Sequence, residues 1–201
     1  MEVDSAKADI VAGKVVAGMQ WSGDAVFSMD EAEKDEVYLN YACPEEATNL
    51  WFDGWVMMAD AVSEDSRTQQ AAEAFLNFIS RPDNVVRNMY YIGYTSAISG
   101  GESDLIYQYL EYTYGAEEGE DDTVLYPLGY FFAGRDQADA AEYQLLTYEE
   151  QLDRQLFAQY PSVSVIDHCA VMRYFDTEAN QRISQMWTNV RCFTTKDLFY
   201  E

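Results

Sequence analysis

Between Val15 and Lys34 the chain runs from a short apolar stretch through a turn into a helical pattern, and that order limits the folds open to it. Val15-Val16-Ala17-Gly18-Met19-Gln20 is rich in small and β-branched residues and predicts a buried strand, preceded by a helix that ends around Asp9 to Ala12. Ser22-Gly23-Asp24 predicts a strand-to-helix turn, with Ser22 or Asp24 near the helix start, and Ala25 to Lys34 continues as helix. Strand followed directly by helix is the building unit of α/β sheets. In open sheets of that kind, ligands lie beyond the carboxyl ends of the strands, where Trp21 and Asp24 would project.

A second segment, Thr48-Asn49-Leu50-Trp51-Phe52-Asp53-Gly54-Trp55, sets large aromatic faces beside a carboxylate. An aromatic face attracts an ammonium group through its quadrupole, and an ionised Asp adds a charge-assisted hydrogen bond to the same group. Trp21-Ser22-Gly23-Asp24 repeats the pairing, and Ile92-Gly93-Tyr94-Thr95 offers a third aromatic beside a glycine. Val37 to Ala42 alternates and predicts a strand, and a further strand is predicted from Leu50 to Met58. On that strand Trp51, Asp53 and Trp55 would share one face by the two-residue period, leaving Phe52 to face a core.

Taken in order, Gly13-Lys14-Val15-Val16, Gly18 to Asp24, Thr48 to Asp53, Phe75-Leu76-Asn77-Phe78-Ile79-Ser80-Arg81-Pro82-Asp83-Asn84 and Tyr91 to Thr95 resemble one family: the C-terminal half of the spermidine/putrescine-binding proteins of bacterial ABC importers. The resemblance is dense from Gly13 to Ser99, thin from Gly100 to Gln159, and returns weakly between Tyr160 and Trp187. It implies an α/β fold of the type 2 periplasmic-binding-protein kind, with doubly wound lobes, here as an N-terminally truncated portion. Residues 1–52 would be part of the second lobe, 53–99 would complete the first, and 100–201 would return to the second, with an insertion at about 103–159. The ligand positions carried over are Trp21, Asp24, Trp51, Asp53 and Tyr94. Asp24 matches the putrescine-selective members, whereas Met172 stands where spermidine binders carry a glutamine contact, so putrescine is favoured. The implied partners are a polyamine and a membrane ABC permease. The implied place is periplasmic or extracytoplasmic, with anchoring to the membrane through a preceding segment as a variant. Two incomplete lobes would leave apolar faces and strand edges uncovered, so self-association is expected.

The rest of the chain reads mostly as helix. Ala71, Ala72, Phe75, Leu76 and Ile79 recur at helical spacing, Arg81-Pro82 makes a corner, and Val85, Val86, Met89 and Tyr90 form a second stripe. Leu105 to Tyr112 predicts a helix, Glu117 to Asp122 a solvated acidic loop without the ligand alternation of a calcium site, Ala138 to Tyr160 a long helix, and Thr177 to Val190 a last one with Trp187 on its apolar face.

Composition sets independent bounds. A chain of 201 residues with 48% hydrophobic content can bury a sizeable core. Its 36 acidic against 12 basic residues give a net charge of -24, a field that repels phosphate and so argues against a nucleic-acid partner, while concentrating small cations. Solubility explains the same acidity. Cys43, Cys169 and Cys192 show no ligand-like spacing, and with His168 as the only histidine no metal or cofactor is called for. Two other readings stand beside the binding one. Asp24 and Asp53 could act as acid and base on a carbohydrate stacked on Trp21 and Trp51, or the module could serve sensing or protein contact rather than transport.

Overall fold

A computed structural model describes residues 3–62 and 66–192. Helix α1 (Val3–Val11) packs on α2 (Ser22–Glu33), and between them residues 12–21 form no regular element. The strand expected at Val15–Gln20 is absent: Val16 and Met19 stand almost fully in solvent. A buried strand exists only where neighbours supply its ladder, and no described segment pairs with this one. Val37 to Ala42 likewise forms no strand, though the Tyr41 N–H donates to the Asp153 carbonyl at 2.6 Å.

Strand β1 is two residues long, Asn49–Leu50. The expected run to Met58 does not form, and Phe52, placed against a core by the two-residue period, is 69% exposed. Helix α3 (Ala59–Val62) leads towards α4 (Ser66–Ile79), and α5 (Pro82–Ile92) follows through a tight corner. There Pro82 opens the helix, the Arg81 guanidinium donates to both oxygens of Asp83 at 3.0 and 2.8 Å, and Asn84 Nδ2 donates to the Phe78 carbonyl at 2.7 Å. The corner therefore accounts for its own residues without a ligand.

The core lies farther along. Helix α6 (Leu105–Tyr114) packs on α5, and β2 (Thr123–Pro127) pairs antiparallel with β3 (Gln144–Tyr148), with Leu125 opposite Leu146. Helices α7 (Gly129–Phe132), α8 (Gln155–Gln159) and α9 (Val163–Asp167) fill the connections, β4 (Ala170–Val171) runs parallel beside β1, and α10 (Thr177–Cys192) ends the described chain. Val85 and Met89 of α5, Ile106 and Leu110 of α6, Tyr126, Leu128, Leu145, Leu156 and Tyr160 bury one another in a single cluster. The long helix expected from Ala138 to Tyr160 is replaced by β3 and α8. Leu145 and Thr147 are buried while their neighbours are not, and the Thr147 hydroxyl donates to the Tyr114 carbonyl at 2.6 Å. A pairing partner at 123–127 outweighs the helical preference of the leucines.

The secondary structure is thus mixed, but the doubly wound parallel lobes expected from the sequence are not formed: the described residues hold one two-stranded parallel pair and one two-stranded antiparallel pair. Apolar faces stay uncovered as a result. Phe75 and Phe78 of α4 and Met186, Trp187 and Val190 of α10 are each about half exposed or more, so among the described residues the stripe holding Trp187 forms without a neighbour to bury it.

Helix α2 is held to α8 largely by charge. Arg154 is 4% exposed; its guanidinium binds Glu33 and, at 3.2 Å, Glu150, and lies over the Tyr38 ring at 5.2 Å. Gln155 Nε2 donates to Glu33 and, at 3.1 Å, to Asp30. Ala25, Val26, Met29 and Ala158 close the apolar part of this contact. The loss of water against α8 raises the Asp30 carboxyl above its ordinary 3.8, the Gln155 hydrogen bond opposes that, and the charges of Glu33 and Glu31 add to it. The folded chain therefore keeps this proton to higher pH than the unfolded chain does. Stability from Asp30 is full below pH 3.8 and falls as pH rises through the folded value. Asp30→Asn should raise the denaturation midpoint at pH 7 and lose that advantage at pH 3, read by urea unfolding at both; a wild-type profile unchanged by the substitution would remove Asp30 from the account.

Candidate functional site

The N-terminus of α2 is where the aromatic and acidic candidates meet. Trp21 occupies the position before the helix in extended backbone, and its carbonyl accepts from the Ala25 N–H at 2.9 Å. Asp24 then falls in the first helical turn, where a carboxylate is favoured by the exposed N–H groups. Ser28 lies one turn on, its hydroxyl 2.8 Å from the Asp24 carbonyl and 3.0 Å from Gln20 Oε1, which ties the entering chain to the helix.

Three aromatic rings stand in a row. Trp21 and Trp51 meet edge to face at 5.4 Å between ring centroids, and Trp51 meets Tyr94 the same way at 5.7 Å. These are favourable pairings of ring edge and ring face. Trp51 reaches the row because β1 pairs with β4, with Asn49 opposite Ala170 and Leu50 opposite Val171, and the Ala170 N–H donates to the Thr48 carbonyl at 2.9 Å. Trp55 goes elsewhere, with its ring against Phe75 of α4 at 5.6 Å.

Tyr94 is aimed by the end of α5. Gly93 closes that helix with φ +72°, a left-handed conformation that costs a glycine little, and its N–H donates to the Met89 carbonyl. Gln159 Nε2 donates to the Gly93 carbonyl at 2.8 Å, and the Thr95 hydroxyl donates to the Gln159 carbonyl at 2.7 Å. The Tyr94 ring then lies directly on Gly23: a β-carbon there would stand 2.2 Å from Tyr94 Cδ2. Burial, followed by the negative charge of Asp24, raises the Tyr94 hydroxyl above its ordinary 10, so it stays protonated beside the carboxylate.

Asp24 is not idle. Its Oδ1 receives the Lys7 ammonium of α1 at 3.1 Å, with side-chain exposures of 16% for Asp24 and 22% for Lys7. The same ammonium lies 5.6 Å from the centroid of the Phe27 ring. One carboxylate and nearby aromatic faces thus hold a primary ammonium within the chain itself. Asp53 stays exposed in the irregular segment after β1, two residues beyond Trp51. The structure therefore gathers Trp21, Asp24, Trp51 and Tyr94 and leaves Asp53 at the open edge. Lys7, Phe27 and Gln159 escaped the sequence reading, which named Gly23 only as part of a turn, since the contacts that matter span 17 residues from Lys7 to Asp24 and 66 from Gly93 to Gln159.

Gly23 is a direct test of the ring's seat. Alanine favours a helix over glycine by about 1 kcal/mol, so a neutral site would gain from the change. Here the added methyl meets the body of a ring, and overpacking of that kind costs about 1 to 3 kcal/mol. Gly23→Ala should lower the melting temperature and alter tryptophan fluorescence; a stabilised variant with the wild-type spectrum would show that Tyr94 does not rest on α2.

Comparison of the sequence with known proteins gives the family. The profile of the family described as bacterial extracellular solute-binding protein matches residues 3–104, just over half of the chain. The putrescine-binding periplasmic protein PotF of Escherichia coli (strain K12) is similar to this chain, with 30% identity over 91 residues; the match takes in 44% of this chain and 23% of that protein. The chain thus matches less than a quarter of the length of that relative. No solved structure matches it. No described helix is long and apolar enough to cross a membrane. All five candidate residues fall inside the matched stretch, which also implies a periplasmic-binding-protein-like α/β fold. On that match the chain belongs to the family of bacterial extracellular solute-binding proteins.

Proposed function

We propose that the chain is the solute-binding part of an ABC importer, that its solute is a polyamine with putrescine favoured over spermidine, and that it hands this solute to a membrane permease outside the cytoplasm. The observation that carries the reading is the row Trp21–Trp51–Tyr94 adjoining Asp24, which already bears an ammonium. A diamine has cationic ends separated by methylenes, so its site needs carboxylates at the ends and flat apolar walls between. Asp24 and Asp53 serve as the ends in this reading, and the three rings serve as walls. Similarity to a protein named for binding putrescine supports the ligand class. The net charge of -24 supports a cationic one. The carbohydrate-hydrolysis reading draws on the same two carboxylates, of which Asp24 is already ion-paired with Lys7 at 3.1 Å.

In this reading the three rings form one wall of the site, and Trp21 is still 44% exposed. The uncovered faces of α4 and α10 then favour association of two copies, and a light-scattering mass of a single chain would overturn that part alone.

Titration calorimetry tests the ligand. Putrescine should bind more tightly than spermidine, and Trp51→Ala should weaken binding about two- to thirty-fold, the range expected for one cation–π wall of about 0.5 to 2 kcal/mol. Binding of neither amine would move the ligand to another class, and equal binding by wild type and Trp51→Ala would remove Trp51 from the site.

A further inference from the structure

We infer that Lys7 is a built-in competitor for the ligand's ammonium: its side chain holds the Asp24 position until a bound amine displaces it, and so sets the affinity of the site. The inference rests on the polyamine reading above and deepens it. Lys7 carries the same group as either end of a diamine, a primary ammonium on a methylene stem. It already makes the two contacts that such an end would seek, a hydrogen-bonded ion pair with Asp24 Oδ1 at 3.1 Å and a place by the Phe27 ring at 5.6 Å. Both partners of the pair are largely withdrawn from water, with 22% and 16% of their side chains exposed. A second ammonium brought to the same carboxylate would be repelled by the first at close range.

The placement also makes exchange feasible. Lys7 stands on α1, which touches the site through α2, whereas Asp24 is fixed in the first turn of α2 and the Tyr94 hydroxyl is held beside it by the Gly93–Gln159 contacts. When the lysine swings away, the carboxylate therefore stays in place. Lysine stems are long and flexible, so the departing ammonium recovers its hydration at little cost in backbone rearrangement. A short ligand able to bridge Asp24 and a second carboxylate can outcompete a tethered single charge, while a monoamine has only one contact to offer. In this way Lys7 selects for ligands with two charged ends.

Calorimetric titration of putrescine into the wild-type chain, Lys7→Met, Lys7→Arg and Lys14→Met tests this. Lys14 pairs with Asp9 on the surface and controls for the lost charge. Lys7→Met should bind putrescine about two- to fivefold more tightly, Lys7→Arg no more tightly than wild type, and Lys14→Met as wild type does, the factor being that expected when an ion pair of this kind no longer has to be broken first. As a second readout, acetylation at Lys7, mapped by mass spectrometry, should speed up when putrescine is added while acetylation at Lys14 does not change. If wild type binds putrescine and Lys7→Met binds equally or more weakly, or if putrescine protects Lys7, the inference fails and the polyamine reading stands. If neither wild type nor Lys7→Met binds putrescine or spermidine, the polyamine reading fails and takes the inference with it.

Discussion

The rest of the site depends on where α2 is held, and α2 is held by the buried guanidinium of Arg154. A cation withdrawn from water is tolerated only beside anions, and Glu33 and Glu150 meet that need from two different parts of the chain. The Glu33 contact fixes the end of α2 against α8, so the start of the same helix, with Trp21 and Asp24, is set at a defined place relative to the central core. Apolar packing by Val26, Met29 and Ala158 adds area, but the ion pairs choose the register. The site is therefore built on a contact between the segment matched by the family profile and a segment beyond it.

That division runs through the whole molecule. Residues 3–104 carry every candidate binding residue, whereas α6, β2, β3 and α8 supply most of the side chains that bury one another. The unmatched region is thus a support and not an appendage. Gln159 makes the dependence concrete: its side-chain amide bonds the Gly93 carbonyl and accepts from the Tyr114 hydroxyl at 2.9 Å, while its own carbonyl accepts from Thr95.

Much of this was legible in the chain. The helices α2, α4, α5 and α6 follow from their apolar spacing, from Pro82 at a first turn and from Gly93 at an end, because local rules decide such elements. The meeting of Trp21, Trp51 and Tyr94 was legible as a set of residues but not as a geometry, since Trp51 is placed by two residues of pairing with Ala170–Val171. The strands fared worse. Val15–Gln20 has the composition of a buried strand and remains in solvent, while Gln144–Tyr148 lies in a stretch that reads as helix and becomes a strand. In both cases the outcome turns on whether a partner strand is present, which is a non-local fact. Lys7 was invisible for a related reason: nothing in the spacing of a lysine and an aspartate 17 residues apart says that two helices will bring them together.

The seat of Tyr94 has a mechanical meaning. Its backbone is tied on both sides to Gln159, and its ring has no room to tilt towards α2. Trp21 and Trp51 are held differently: Trp21 enters α2 from an irregular loop, with its carbonyl bonded to the Ala25 N–H, and Trp51 follows a two-residue strand. The aromatic row thus runs from a ring packed directly on a helix backbone to two set at its edge. A larger side chain at residue 23 would therefore displace the tyrosine first, and through it the ring of Trp51.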